Sequence, residues 1–163
     1  MAPALTDLSR LSARNLLKLH GAVSAELRRR GISRSGNNPV ADYAEGLVAK
    51  RLRLRLAENS TAGFDAVDAR GRCFEIKARR ETPSSKATML SAIRAIEKRH
   101  FDFLIAVIFN EDYTVRRAVQ LPYATVRRLA RFRRHVNGSV LIIRDLWDAK
   151  GARDLTAKLA DGV

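Results

Sequence analysis

Leu8, Leu16, Leu19, Val23 and Leu27 recur at helical spacing in a segment that stops at Gly31, which predicts a helix over residues 7–30 closed by a glycine. A polar, glycine-rich connector follows over residues 31–38. Asn38-Pro39 then supplies a cap and a first-turn proline for a second helix, whose apolar positions Ala41, Ala44, Val48, Leu52 and Leu56 recur every three or four residues. Arg51-Leu52-Arg53-Leu54-Arg55-Leu56 also alternates as a strand would, and the helical period is the preferred reading. Beyond the loop at 59–63 the period changes to two. Phe64-Asp65-Ala66-Val67 and Arg72-Cys73-Phe74-Glu75-Ile76-Lys77-Ala78-Arg79 predict a hairpin around the turn Asp68-Ala69-Arg70-Gly71. Residues 79–86 lead from it into a predicted helix carrying Met89, Ile93 and Ile96.

The uninterrupted apolar run at 103–109 predicts a central strand buried on both faces. A polar turn at 110–112 and a strand over 113–120 follow, antiparallel to the first because the connection is short. Pro122 opens a predicted helix bearing Arg127, Arg128 and Arg131; Asn137-Gly138 marks a second hairpin, and the tail from Asp145 reads as helical in pieces. The pattern predicts one α/β domain with a mixed central sheet. Residues 1–38 form an N-terminal helix and connector packed on the core, 39–120 the core, and 121–163 a C-terminal hairpin and helical extension.

The first hairpin carries the candidate chemistry. Side chains alternate along a strand, so Glu75 and Lys77 share one face while Phe74, Ile76 and Ala78 take the other. If Ala69, Arg70 and Gly71 form a three-residue loop with Gly71 left-handed, Asp65 falls opposite Glu75. Opposed like charges destabilise a sheet unless a cation neutralises them, and Mg²⁺ or Mn²⁺ does so with oxygen ligands. Asp65 and Glu75 are therefore candidate metal ligands. Lys77 is placed to orient a water and to offset charge that develops in a transition state. An exposed, salt-bridged sheet face is the competing reading, and Asp68 is assigned to capping the turn.

Charge names the partner of such a site. With 31 Lys and Arg against 17 Asp and Glu, the net charge is +14, while 46% hydrophobic residues argue for a folded body rather than a basic tail. A polyanion is expected, and nucleic acid is the best candidate. No long uncharged apolar span or lipidation signal points to a membrane. The N-terminus lacks the charged-then-apolar pattern of a signal peptide, and the single Cys73 cannot form an internal disulfide, so a cytoplasmic location is expected.

The order of Glu45 in a helix, Asp65 and then Glu75-Ile76-Lys77 in a hairpin, followed by a helix and a buried strand, resembles the PD-(D/E)xK superfamily of restriction-endonuclease-like nucleases. The likeness spans roughly residues 39–120, with Phe64 where the family often has proline before the aspartate. The resemblance implies an αβββαβ core, one or two Mg²⁺ ions on Asp65 and Glu75, Lys77 as the catalytic lysine and Glu45 as a further acid. Glu45 also lies beside the apolar stripe of its helix, where a solvated flank serves equally well. A Mg²⁺-dependent nuclease acting on DNA is the expected function. A nucleic-acid-binding protein or partner-dependent subunit of the same fold is the alternative, and a homodimer would allow both strands of a duplex to be cut.

Arg79, Arg80 and Lys86 leave the candidate strand directly, and with Lys50 and Arg51 they are the expected phosphate contacts. The cluster Arg127, Arg128, Arg131, Arg133 and Arg134 has the makings of a solvated face. His20, His100 and His135 lack metal-ligand spacing; Trp147, Phe132 and Tyr113 could stack on bases, but with 6% aromatics and no single-strand motif core packing is the preferred role, and Cys73 stands in no nucleophile pattern.

Overall fold

The apolar run at 103–109 forms a strand around which the chain assembles a six-stranded sheet. The computed structural model describes residues 7–34, 38–58 and 63–160, so the predicted loop residues 35–37 and 59–62 lie outside it. In chain order the elements are α1 (Ala13–Arg29), α2 (Val40–Leu52), β1 (Arg55–Leu56), β2 (Ala66–Val67), β3 (Cys73–Arg80), β4 (Phe103–Phe109), β5 (Val115–Pro122), α3 (Tyr123–Leu129), β6 (Arg131–Arg133), β7 (Gly138–Val140), β8 (Arg153–Asp154) and α4 (Thr156–Leu159). The sheet runs β1-β2-β3-β4-β5-β8, with β3 and β4 parallel and the other neighbours antiparallel. β6 and β7 form a separate two-stranded ribbon. The protein is an α/β fold with a mixed central sheet, as its hydrophobic pattern predicts.

Alternation along β4 feeds two cores. Ile105, Val107 and Phe109 pack with Phe74 and Ile76 against Val40, Ala44 and Val48 of α2 and against Leu159 of α4. Leu104, Ala106 and Ile108 pack on the other side with Leu90, Ile93, Phe101, Val126 and Leu141. β4 is apolar throughout because both of its faces are covered. Among the described residues no helix is long and apolar enough to cross a membrane.

The second helix is shorter than its period predicts. It ends at Leu52 because Arg53 is left-handed (φ 56°), and Arg55–Leu56 then pairs with β2. Leu54 and Leu56 pack on the core while Arg53 and Arg55 face solvent, so the alternation after Leu52 expresses a strand. Asn38 Oδ1 accepts a hydrogen bond from Val40 N at 3.2 Å, which caps the helix as expected.

The helix predicted to carry Met89, Ile93 and Ile96 is absent. Only a 3-10 turn at Ile96–Lys98 is helical between β3 and β4, and the chain ahead of it runs extended beside residues 138–143. Its backbone hydrogen bonds go there: Leu90 N donates to Leu141 O at 3.0 Å, and Ile93 N to Ser139 O at 2.8 Å. Leu90, Ile93 and Ile96 are buried at intervals of three, which imitates a helical stripe. Tertiary pairing overrides the local period. Likewise α3 ends at Leu129, so Arg131 belongs to β6 rather than to the helix opened by Pro122. α1 forms as expected but buries no residue fully; Val23, Leu27 and Ile32 line an open groove with Tyr43 and Tyr113.

Gly71 is left-handed (φ 76°) with open space where a Cβ would lie. Gly71→Ala is therefore expected to cost about 1–2 kcal/mol from backbone strain alone, read as a lower urea midpoint with unchanged denaturant slope.

Candidate active site

Three residues close the hairpin as the spacing predicts. Asp68 N donates to Arg72 O at 3.1 Å and Gly71 N to Asp68 O at 3.0 Å, while Asp68 Oδ1 accepts from Arg70 N and Arg72 N. The register that follows pairs Val67 with Cys73 and Ala66 with Phe74. The next step in that register would set Asp65 opposite Glu75.

The regular ladder stops at Ala66 instead. Asp65 N reaches Phe74 O at 2.8 Å, so Asp65 and Ala66 both oppose Phe74, and the strand bulges. Ile76 N, which a continued ladder would give to the Phe64 carbonyl, donates to Asp65 Oδ2 at 2.6 Å. The carboxylate thus replaces a strand's carbonyl. This bond fixes the aspartate beside β3.

Glu75 and Lys77 share the face opposite Phe74 and Ile76, as their parity requires. Glu75 is 8% exposed, and its Oε1 accepts from Lys77 Nζ at 2.6 Å. Burial holds the carboxyls of both Asp65 and Glu75 above the usual carboxylate range. The Ile76 amide, Lys77 and Arg34 pull Asp65 the other way. For Glu75, Lys77 opposes the rise while the charge of Asp65 adds to it. Two acids that are costly to ionise side by side lie at one point.

They line one cavity of about 630 Å³. Asp65, Glu75 and Lys77 contribute its polar lining, Phe64, Ile93, Ile96 and Phe101 its apolar walls, and Arg94, Lys98 and His100 its exposed basic rim. His100 also pulls the Glu75 carboxyl downward electrostatically, as the last of its causes. Gly63, at φ 98°, passes so close to this histidine that a Cβ there would meet His100 Cβ at 2.3 Å. That contact holds the imidazole at the cavity mouth.

The rim residues are the ones that sequence spacing misses. Their single signal is the basic run Lys98-Arg99-His100 directly before β4, and left-handed backbone at Ala95 and Arg99 shapes the segment. His100, which lacks metal-ligand spacing in the sequence, is exposed and lines the cavity. Phe132, assigned to core packing, is 64% exposed, whereas Trp147 and Tyr113 do pack on the two cores.

Other candidates lie further off. Glu45 is not among the described residues lining the cavity; it is ion-paired with Arg34, which also approaches Asp42 and whose charge reaches Asp65. Arg79 Nε donates to Met89 O at 3.0 Å. Arg80 takes the opposite face of β3, with its guanidinium 4.9 Å from the Tyr113 ring centroid. Lys50 and Lys86 are exposed, and Arg51 is half-buried at the end of α2.

The donor set suits a hard divalent cation. Among the described residues Asp65 Oδ1 and Glu75 Oε2 make no hydrogen bond, and both ligands are oxygen. Among the described residues no three of His, Cys, Asp and Glu converge to hold a metal, so two carboxylates would share the shell with water, which Mg²⁺ retains readily. A phosphate would be repelled by the bare acid pair and attracted by the rim. A bound cation would offset that repulsion. No family model matches this chain, and no curated protein does.

Proposed function

We propose that this protein is a Mg²⁺-dependent nuclease that hydrolyses phosphodiester bonds, with DNA as its substrate. The observation that carries the reading is the half-buried Asp65 beside the buried Glu75, with Lys77 bonded to Glu75, in a cavity rimmed by Arg94, Lys98 and His100. Burying two carboxylates together costs several kcal/mol per ion if nothing compensates them. A folding role alone would be served better by apolar side chains.

In this reading Asp65 and Glu75 would hold the cation. When bound, it would supply Lewis acidity to the phosphate and make water more acidic. Lys77 gives up one N–H to Glu75 and keeps others for the attacking water or a non-bridging phosphate oxygen. The rim cations hold the phosphate, and the apolar walls keep bulk water from weakening these contacts. Water gives up a proton as its oxygen bonds to phosphorus, one P–O ester bond breaks, and the departing oxygen takes up a proton from solvent, leaving a phosphomonoester and an alcohol.

The restriction-endonuclease-like assignment belongs to this proposal. It is supported by the succession α2, β1, β2, β3 and then β4 with the acid pair on the hairpin, and it departs in lacking the helix before β4. The extended segment at 89–95 takes that helix's place and supplies cavity wall. Incubating purified protein with plasmid, linear duplex, branched and single-stranded DNA is expected to give cleavage in Mg²⁺ or Mn²⁺ and none in chelator. Binding without cleavage on every substrate would reject the enzyme.

A further inference from the structure

We propose that the β6–β7 ribbon docks an unpaired nucleic-acid strand, the exposed Phe132 ring stacking on a base while the neighbouring arginines hold adjoining phosphates. The inference rests on the nucleic-acid part of the reading above and not on cleavage.

Charge selects the occupant. Between Asp112 and Asp145 the chain carries no acidic residue. Arg127, Arg128, Arg131, Arg133 and Arg134 are exposed and make no ion pair among the described residues. Elsewhere the protein does pair such groups, as Arg72 with Asp68 and Arg116 with Glu81. Unpaired arginines on one segment form an anion-binding surface, and phosphates suit their planar forks.

Phe132 narrows the anion to one with an aromatic face. It is the most exposed phenylalanine, at 64%, and stands between two arginines on an edge strand whose sole neighbour is β7. Alternation puts Arg131 and Arg133 on one face of that strand and Phe132 on the other. A nucleotide crossing the edge can set its phosphate on one side and its base on the other. Base–aromatic stacking needs a free π-face, which a base inside a duplex does not offer, so a single-stranded segment fits best.

The ribbon is tied to the cavity. Ser139 and Ile93 exchange two backbone hydrogen bonds of 2.8 Å, and a Cβ at Gly138 would lie 3.0 Å from Ala92 Cβ. Ala92 and Ile93 are cavity wall. A strand held on the ribbon is thereby held at a fixed position relative to Asp65 and Glu75.

Fluorescence anisotropy in chelator tests this, using a labelled oligothymidylate and a duplex of equal length. Phe132→Ala is expected to weaken single-strand binding at least about fivefold, with duplex binding unchanged and Phe132→Trp restoring the affinity. The exposed position makes loss of folding an unsuitable explanation, and an unchanged unfolding midpoint checks it. Equal single-strand affinity in wild type and Phe132→Ala, equal losses on both DNAs, or no wild-type binding to the single strand would each overturn the proposal. A protein that cleaves DNA yet is indifferent to Phe132→Ala refutes the ribbon alone. One that never cleaves but shows the selective loss refutes only the nuclease.

Discussion

Replacing Lys77 with alanine is expected to lower Mg²⁺-dependent DNA cleavage by at least about a hundredfold, the usual loss when one donor to developing charge is removed. Asp65→Ala should lose as much, but it also strips the acceptor from Ile76 N, which makes it a blunter probe. A buried amide left without a partner costs about 1–3 kcal/mol. Asp65→Asn is cleaner, because its amide oxygen can still accept from Ile76 while the metal-binding charge is gone. All three variants should still bind DNA, since the basic rim and the ribbon arginines are untouched; the Asp65 variants should keep the wild-type salt dependence, and Lys77→Ala should lose at most about one phosphate contact from the slope. Gel-based cleavage rates beside binding titrations at two salt concentrations check both halves. Undiminished cleavage in Lys77→Ala and Asp65→Asn would move the chemistry away from this hairpin.

Stability should respond to the same pair in the opposite sense. Burial raises the folded-state affinity of Asp65 and Glu75 for protons, so the folded protein binds more protons than the unfolded chain as these groups titrate. Their favourable contribution is present below the ordinary carboxylate range, about pH 4, and is lost as pH rises through the elevated folded values. Without metal at neutral pH, wild type should therefore be less stable than Asp65→Asn. Below about pH 4, where the unfolded acids are also protonated, the difference should close.

Mg²⁺ is expected to reverse the order. A ligand that binds only the folded state at a hundred times its Kd stabilises by about 2.7 kcal/mol, and Asp65→Asn should gain much less. Thermal or urea unfolding with chelator and with Mg²⁺, across pH, measures both effects without reference to catalysis. If Asp65→Asn is the less stable protein in chelator at neutral pH and Mg²⁺ shifts neither, the pair is not a metal site.

The hairpin was legible from sequence for a specific reason. A three-residue loop with glycine in its last position admits one register, and period-two alternation then settles which side chains share a face. Gly71, Asp68 and the Glu75/Lys77 face follow from local rules. The bulge at Asp65 does not, because it depends on β2 leaving β3 after Ala66 and on a carboxylate substituting for a carbonyl. The register of that loop predicts Asp65 opposite Glu75 across the ladder; the fold brings them into one cavity by a bulge.

The segment at 89–96 shows the opposite case. Spacing by threes is common to a helical stripe and to an extended strap that dips into a core at Leu90, Ile93 and Ile96. Only the presence of residues 138–143 to accept its backbone hydrogen bonds separates the two. Arg94, Lys98 and His100 reach the cavity because the strap and the turn after it wrap it, and the basic run at 98–100 marks two of them without saying what they face.

The sequence by itself determined the buried strand at 103–109, the hairpin and its loop, the polar face of β3 and the excess of positive charge. Each follows from nearest-neighbour geometry or from composition. Tertiary structure decided that Glu45 pairs with Arg34 beside the site, that Arg80 turns to the far face and that Phe132 stays in solvent. It also formed the cavity wall from a strap held by β7. These outcomes depend on which distant segments satisfy one another's backbone groups and fill one another's apolar surfaces, and a local pattern does not contain that information.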